Sequence, residues 1–114
     1  MIIDDIIHAA DSLGMVIEMF GHTIYIEHNG PDGIQKAQAI KPNLILCDIG
    51  LPGMNGYQVA ETLKSDKNLS ATYLIALSGY AQPNDIENSH LAGFDYHLAK
   101  PPDLAKLKQI LEEI

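Results

Sequence analysis

The stretch Asn43–Gly56, NLILCDIGLPGMNG, decides how the rest of the chain is read. Leu44, Ile45, Leu46 and Cys47 form an unbroken apolar run, the pattern of a strand buried on both faces. The run ends on a carboxylate, Asp48, and gives way to a loop holding Gly50, Pro52, Gly53 and the pair Asn55-Gly56. Residues of these types end strands and set turns. A strand buried on both faces belongs to a parallel sheet covered by helices, where sites form beyond the carboxyl ends of the strands. Asp48 therefore stands where such an architecture puts its chemistry.

The segments on either side agree. Upstream, a helix from Pro31 carries Ile34, Ala37 and Ile40 on one face, and Pro suits a first helical turn. Before it, Thr23–His28 (TIYIEH) is β-rich and ends at the turn Asn29-Gly30. Ile6, Ala9/Ala10, Leu13, Ile17 and Phe20 fall at helical spacing, with Gly21 as a stop. Met1–Ile3 is a short apolar run ending in Asp4-Asp5. Downstream, a helix around Tyr57–Lys64 turns Val59, Ala60 and Leu63 inward, and Tyr73–Ser78 (YLIALS) is a strand. Pro83–Ala92 is a helix closed by Gly93, Asp95–Ala99 a short strand, and Leu104, Leu107, Ile110/Leu111 and Ile114 stripe a last helix. Five strands, each followed by a helix, predict an α/β fold: a doubly wound, five-stranded parallel sheet with helices on both faces.

The chain of 114 residues is expected to form one domain, 1–114. Its 46% hydrophobic and 19% charged residues are ordinary for a globular protein. No apolar run approaches a membrane span, and the start lacks a signal peptide's basic end and apolar body, so a cytoplasmic location is expected. A single cysteine agrees with a reducing compartment. A net charge of −8 argues against direct binding of nucleic acid, whose phosphates call for a basic face.

In a parallel sheet the strand ends gather on one edge. Here they bring Asp4-Asp5, Asp48, Ser78 and Lys100-Pro101 together. Three crowded carboxylates repel unless cations join them. Lys100 supplies one positive charge, and a hard divalent ion held by oxygen ligands, Mg²⁺, suits the remainder. A carboxylate beside Mg²⁺ can attack phosphorus and form an aspartyl phosphate. Ser78 and Lys100 could then each contact a phosphoryl oxygen, with the metal on the third. In the loop after Asp48, Gly50 can turn its backbone carbonyl toward the metal with no side chain in the way.

At this point the chain resembles the receiver domains of two-component response regulators over essentially its whole length. The resemblance is carried by Asp4-Asp5, LILCDIGLPGMNGYQVAETLK, LIALSGYA, and AGFDYHLAKPPD followed by an amphipathic helix. It implies the flavodoxin-like strand order 2-1-3-4-5, with Asp48 as phosphoacceptor. Asp5 would bind Mg²⁺ directly and Asp4 through water, Ser78 would be the switch hydroxyl, and Lys100 the phosphoryl-binding lysine with a cis bond to Pro101. The implied phosphodonor is a sensor histidine kinase or phosphotransfer protein. An unidentified effector would bind the face formed by residues 83–114, on a monomer or a phosphorylation-dependent dimer. The motif style is nearest to receivers of hybrid histidine kinases.

Two departures from the family pattern stand out. Its aromatic switch position, three residues before the lysine, holds His97, while the adjacent Tyr96 should point to the other face. Only three residues precede Asp4, where the usual strand length calls for about five, so either the natural chain starts earlier or the first strand, expected near the sheet centre, is short. Ile6 and Ile7 also make the rim of the site apolar. His8, His22, His28 and His90 show no metal-ligand spacing and read as surface or packing residues. Among rival functions, a phosphatase of the haloacid-dehalogenase type needs an acid two residues after Asp48, where Gly50 stands. A flavin carrier would meet repulsion from the acidic DDIIHAAD after the first strand. A receiver-like docking or dimerisation module that is not phosphorylated is the alternative that survives.

Overall fold

The structure, a computed structural model, describes residues 1–79 and 83–113. Among the described residues ten elements alternate strictly: β1 (Ile2–Ile3), α1 (Ile7–Met19), β2 (Ile26–Glu27), α2 (Gly30–Ile40), β3 (Leu44–Asp48), α3 (Gly56–Ser65), β4 (Tyr73–Ser78), α4 (Pro83–Ala92), β5 (Tyr96–Ala99) and α5 (Leu104–Glu113). All strand pairings are parallel, in the order β2-β1-β3-β4-β5, which is the flavodoxin-like arrangement expected.

Alternation along β3 divides the core between the two sheet faces. Ile45 and Cys47 join Ile3, Ile34, Val59, Leu63 and Phe94 on the face covered by α2 and α3. Leu44 and Leu46 join Ile2, Leu13, Ile17, Leu107 and Leu111 on the face covered by α1 and α5. The two-residue β1 is secured by this arrangement. Ile2 and Ile3 are wholly buried on opposite faces, each burial contributing about 2–3 kcal/mol. The Met1 amino nitrogen continues the pairing by donating to the Leu44 carbonyl at 3.0 Å.

Several expectations need correction. β2 is two residues long, not the six of Thr23–His28, because it lies at the sheet edge and its partner β1 offers only two residues to pair with. Asn29 is not a free turn residue but the N-cap of α2, its Oδ1 accepting the Asp32 N–H at 2.8 Å. Leu104, predicted on the inner stripe of α5, is exposed in the first turn of that helix, whereas Leu107, Ile110 and Leu111 are buried. Gly21 and Gly93, read as helix stops, do have positive φ values of 95° and 116°. Ile114 on the α5 stripe, and Tyr80 and Ala81 of the LIALSGYA motif, lie outside the described residues.

Candidate functional site

Strand register assembles the site. Ile3 pairs with Cys47, so one step further along places Asp4 beside Asp48. Asp48 pairs with Leu77, Leu77 with Leu98 and Ser78 with Ala99, so Ser78 stands one residue and Lys100 two residues beyond the Asp48 row, at the same edge of the sheet. The residues predicted at the strand ends therefore share one edge.

Lys100 is the hub. Its Nζ donates to Asp48 Oδ2 at 2.9 Å and to Asp4 Oδ2 at 3.1 Å. Both carboxylates are buried, Asp4 2% and Asp48 7% exposed, so an unpaired charge on either would be costly. Burial pulls the Lys100 pKa down, but the hydrogen bonds and charges of Asp48 and Asp4 outweigh it and leave it above its ordinary value. The second oxygens are used as well: Asp4 Oδ1 accepts the Ile6 N–H at 3.0 Å, and Asp48 Oδ1 accepts the Gly50 N–H at 2.8 Å. Asp5 differs from its neighbour. It is exposed and makes no hydrogen bond or ion pair among the described residues.

Asp4, Asp5 and Asp48 each offer an oxygen within 4.8 Å of the others. Three carboxylates against one ammonium leave the cluster two charges short of neutrality. That deficit and the all-oxygen donor set fit a hard divalent ion such as Mg²⁺. The loop holding the Gly50 N–H is pinned from behind by α3. A Cβ on Gly56 would collide with Ile49 Cα and lie 2.6 Å from the Asp48 carbonyl oxygen, so only glycine lets the helix start this close to β3. Asn55 caps α3 with a reciprocal bond to Gln58, which fixes where the loop ends.

Ser78 is buried at the end of β4, and its carbonyl accepts the Lys100 N–H at 2.8 Å. The Lys100–Pro101 bond is cis. Strand alternation separates the neighbours on β5 as expected. Tyr96 packs on the α1–α5 face with Lys106 Nζ 5.4 Å from its ring centroid. His97 borders a cavity of about 250 Å³ on the α4 side with Ile86, Ser89 and Phe94. Its Nε2 is buried without a hydrogen-bond partner among the described residues. Burial lowers its pKa, with Asp85 opposing. Burial and then the charges of Asp48 and Asp4 push the Cys47 thiol pKa up, so this residue is an inert part of the core. Beside the carboxylates, a largely apolar groove of about 520 Å³ runs between α1 and the start of α5 past Asp4, Leu13, Val16, Lys100 and Pro101. Ile6 and Ile7 form an exposed apolar rim, 52% and 56% accessible.

One residue escaped the sequence reading. The ring of His28 bonds the carbonyl of Asp4 at 2.9 Å. A search for metal-ligand spacing cannot find it, because its partner is main chain.

Residues 1–112 match the family profile described as response regulator receiver domain. The chain belongs to this family. Over all 114 residues the receiver domain is 31% identical to protein PilH of Pseudomonas aeruginosa, covering 94% of that protein. It is 33% identical over 86 residues to the polar-differentiation response regulator DivK of Brucella anthropi, spanning 75% of this chain and 70% of that one. Among solved structures it is similar to the receiver domain of a sensor histidine kinase from Pseudomonas aeruginosa, crystallised with a magnesium ion coordinated in its active-site cleft. The TM-score is 0.89 at 26% identity, with 98% of this chain and 92% of that one covered. A putative response regulator from Chloroflexus aurantiacus has the same fold, with a TM-score of 0.92 at 22% identity and coverages of 98% and 92%. The chain is thus a phosphoacceptor receiver domain of two-component signalling. Its Asp4/Asp5/Asp48 cluster is the arrangement typical of Mg²⁺-dependent phosphotransfer from a histidine kinase. It is not an enzyme acting on a separate substrate; the phosphoryl chemistry takes place on its own side chain. Among the described residues no helix is long and apolar enough to cross a membrane.

Proposed function

We propose that Asp48 is the phosphoacceptor and that Asp5, Asp48 and the Gly50 carbonyl hold Mg²⁺, with Asp4 acting through water. The observation that carries this reading is the Lys100 ammonium bridging Asp48 and Asp4 at 2.9 and 3.1 Å. It gives the acceptor carboxylate a cation ready for the incoming phosphoryl group. The free carboxylate of Asp5 is left available for a metal. An oxygen of Asp48 attacks phosphorus in line, and the P–N bond to the donor's histidine breaks. The imidazole leaves with the electron pair of that bond and is protonated by solvent. Lys100 then turns from the carboxylates to one phosphoryl oxygen, and the Ser78 hydroxyl donates to another. Mg²⁺, when bound, supplies the positive charge that the third oxygen needs.

In this reading residues 1–114 work as one cytoplasmic unit, and the donor is a sensor histidine kinase or a phosphotransfer protein. Movement of Ser78 toward the phosphoryl group draws on β4 and β5. His97 and the face of α4, β5 and α5 shift with it and change affinity for an effector, or for a second copy. Borohydride reduction after reaction with acetyl phosphate locates the group, because an aspartyl phosphate becomes homoserine. Peptide mapping is expected to find homoserine at position 48. Label at Asp4 or Asp5 instead would refute the assignment.

A further inference from the structure

Because β1 has only two residues, Asp4 lies one residue past the end of its ladder. Something besides strand pairing must hold the backbone that carries the carboxylates. Ile2 pairs with Ile26 and Ile3 with Glu27, so Asp4 falls opposite His28. The Asp4 N–H keeps to the ladder and donates to the Glu27 carbonyl at 3.1 Å. A parallel ladder would next send the Asn29 N–H to the Asp4 carbonyl. There the chain turns into α2 with Asn29 as its cap, and Nδ1 of His28 meets that carbonyl at 2.9 Å instead. A carbonyl only accepts, so it is Nδ1 that carries the proton of this bond.

This side-chain bond has an unequal effect on the acidic pair. The Asp4 carboxylate is fixed independently by the Ile6 N–H and by Lys100. Asp5 has no such partner among the described residues. Its direction follows from the Asp4–Asp5 peptide plane, whose carbonyl His28 holds. We propose that His28 is a positioning residue for the metal site. Its bond to the Asp4 carbonyl sets the peptide plane that presents Asp5 to the cation. The inference rests on reading Asp4, Asp5 and Asp48 as a Mg²⁺ site. His28 itself touches neither the cation nor the phosphoryl group; its effect is preorganisation of a ligand.

The test is Mg²⁺ titration by calorimetry of wild type, His28→Phe and His28→Asn, with thermal unfolding in EDTA alongside. Phenylalanine keeps the ring but loses the donor. The asparagine amide can place an N–H close to where Nδ1 stands. His28→Phe is expected to weaken Mg²⁺ binding about tenfold, the low end for loss of an outer-sphere partner, and His28→Asn to recover most of it at comparable stability. Wild-type affinity in His28→Phe would overturn the proposal, as would equal weakening in both variants. No Mg²⁺ binding by wild type would instead overturn the metal-site reading, and this inference with it. Should a variant not fold, long-range ¹H–¹⁵N spectra of wild type decide through the tautomer. The Nδ1–H form is expected for His28, and the Nε2–H form would refute the bond.

Discussion

Replacing Lys100 by Met removes the ammonium that faces Asp48 and Asp4 while keeping a stem of similar length. Two buried carboxylates would then face each other without the charge that lies 2.9 and 3.1 Å from them. Breaking a buried ion pair by deleting one partner costs about 3–5 kcal/mol. The Lys100 side chain is 23% exposed, so solvent screens part of the interaction, and we expect about 2–3 kcal/mol in metal-free buffer. Sign follows from linkage. The folded-state pKa of Lys100 lies above the ordinary 10.5, so its contribution is complete below 10.5 and lost only as pH rises through the folded value. The whole loss is therefore visible at neutral pH. Mg²⁺ should repair much of it, because the ion supplies the missing charge and no longer competes with the ammonium for Asp48. Urea unfolding of wild type and Lys100→Met, in EDTA and in millimolar Mg²⁺, makes the comparison. The expected result is a large stability gap in EDTA that narrows with metal. Equal stabilities in EDTA, or equal stabilisation of both proteins by Mg²⁺, would refute the account of Lys100 as the cluster's counter-charge.

Other consequences can be checked in the same assay. With its folded-state pKa below 6.5 through burial, His97 binds fewer protons folded than unfolded, so its contribution is present above 6.5 and lost as pH falls below that value. His97→Phe is expected to flatten part of the acid-side loss of stability that sets in as pH falls below 6.5; an unchanged slope would show that the ring is not held neutral. Gly56→Ala should destabilise by about 3 kcal/mol, since the new Cβ meets the backbone of Ile49 and Asp48 rather than a movable side chain. A loss under about 1 kcal/mol would mean that the α3 entrance can relax. Asn55→Ala, which removes the cap and its reciprocal bond with Gln58, should cost about 1 kcal/mol, and a cost near zero would show that the cap is not needed.

The parts of this fold that were legible in the sequence are those set by local pattern. β3 and β4 bury apolar runs, and the runs themselves mark their ends at Asp48 and Ser78. Once five strands were read as parallel, convergence of Asp4, Asp48, Ser78 and Lys100 followed from the architecture, and the register bears it out. The misreadings share a cause, because each depended on a partner elsewhere in the chain. TIYIEH has strand propensity throughout, yet its ladder can extend only as far as the two residues of β1. Leu104 has helical spacing from Leu107 but sits in the first turn of α5, where it borders the open groove beside Asp4 instead of closing the core. The difference between buried Asp4 and exposed Asp5, and the part played by His28, arise from main-chain geometry that residue types do not record.

The central claim, Mg²⁺-dependent phosphorylation of Asp48, is tested most directly by intact mass. Wild type and Asp48→Asn are incubated with acetyl phosphate, each with and without Mg²⁺. The account predicts one phosphoryl adduct, on wild type alone and only with the metal. An adduct on Asp48→Asn, or none on a wild-type protein shown to be folded and supplied with Mg²⁺, would contradict it. The second of these results would favour a receiver-fold docking module in its place.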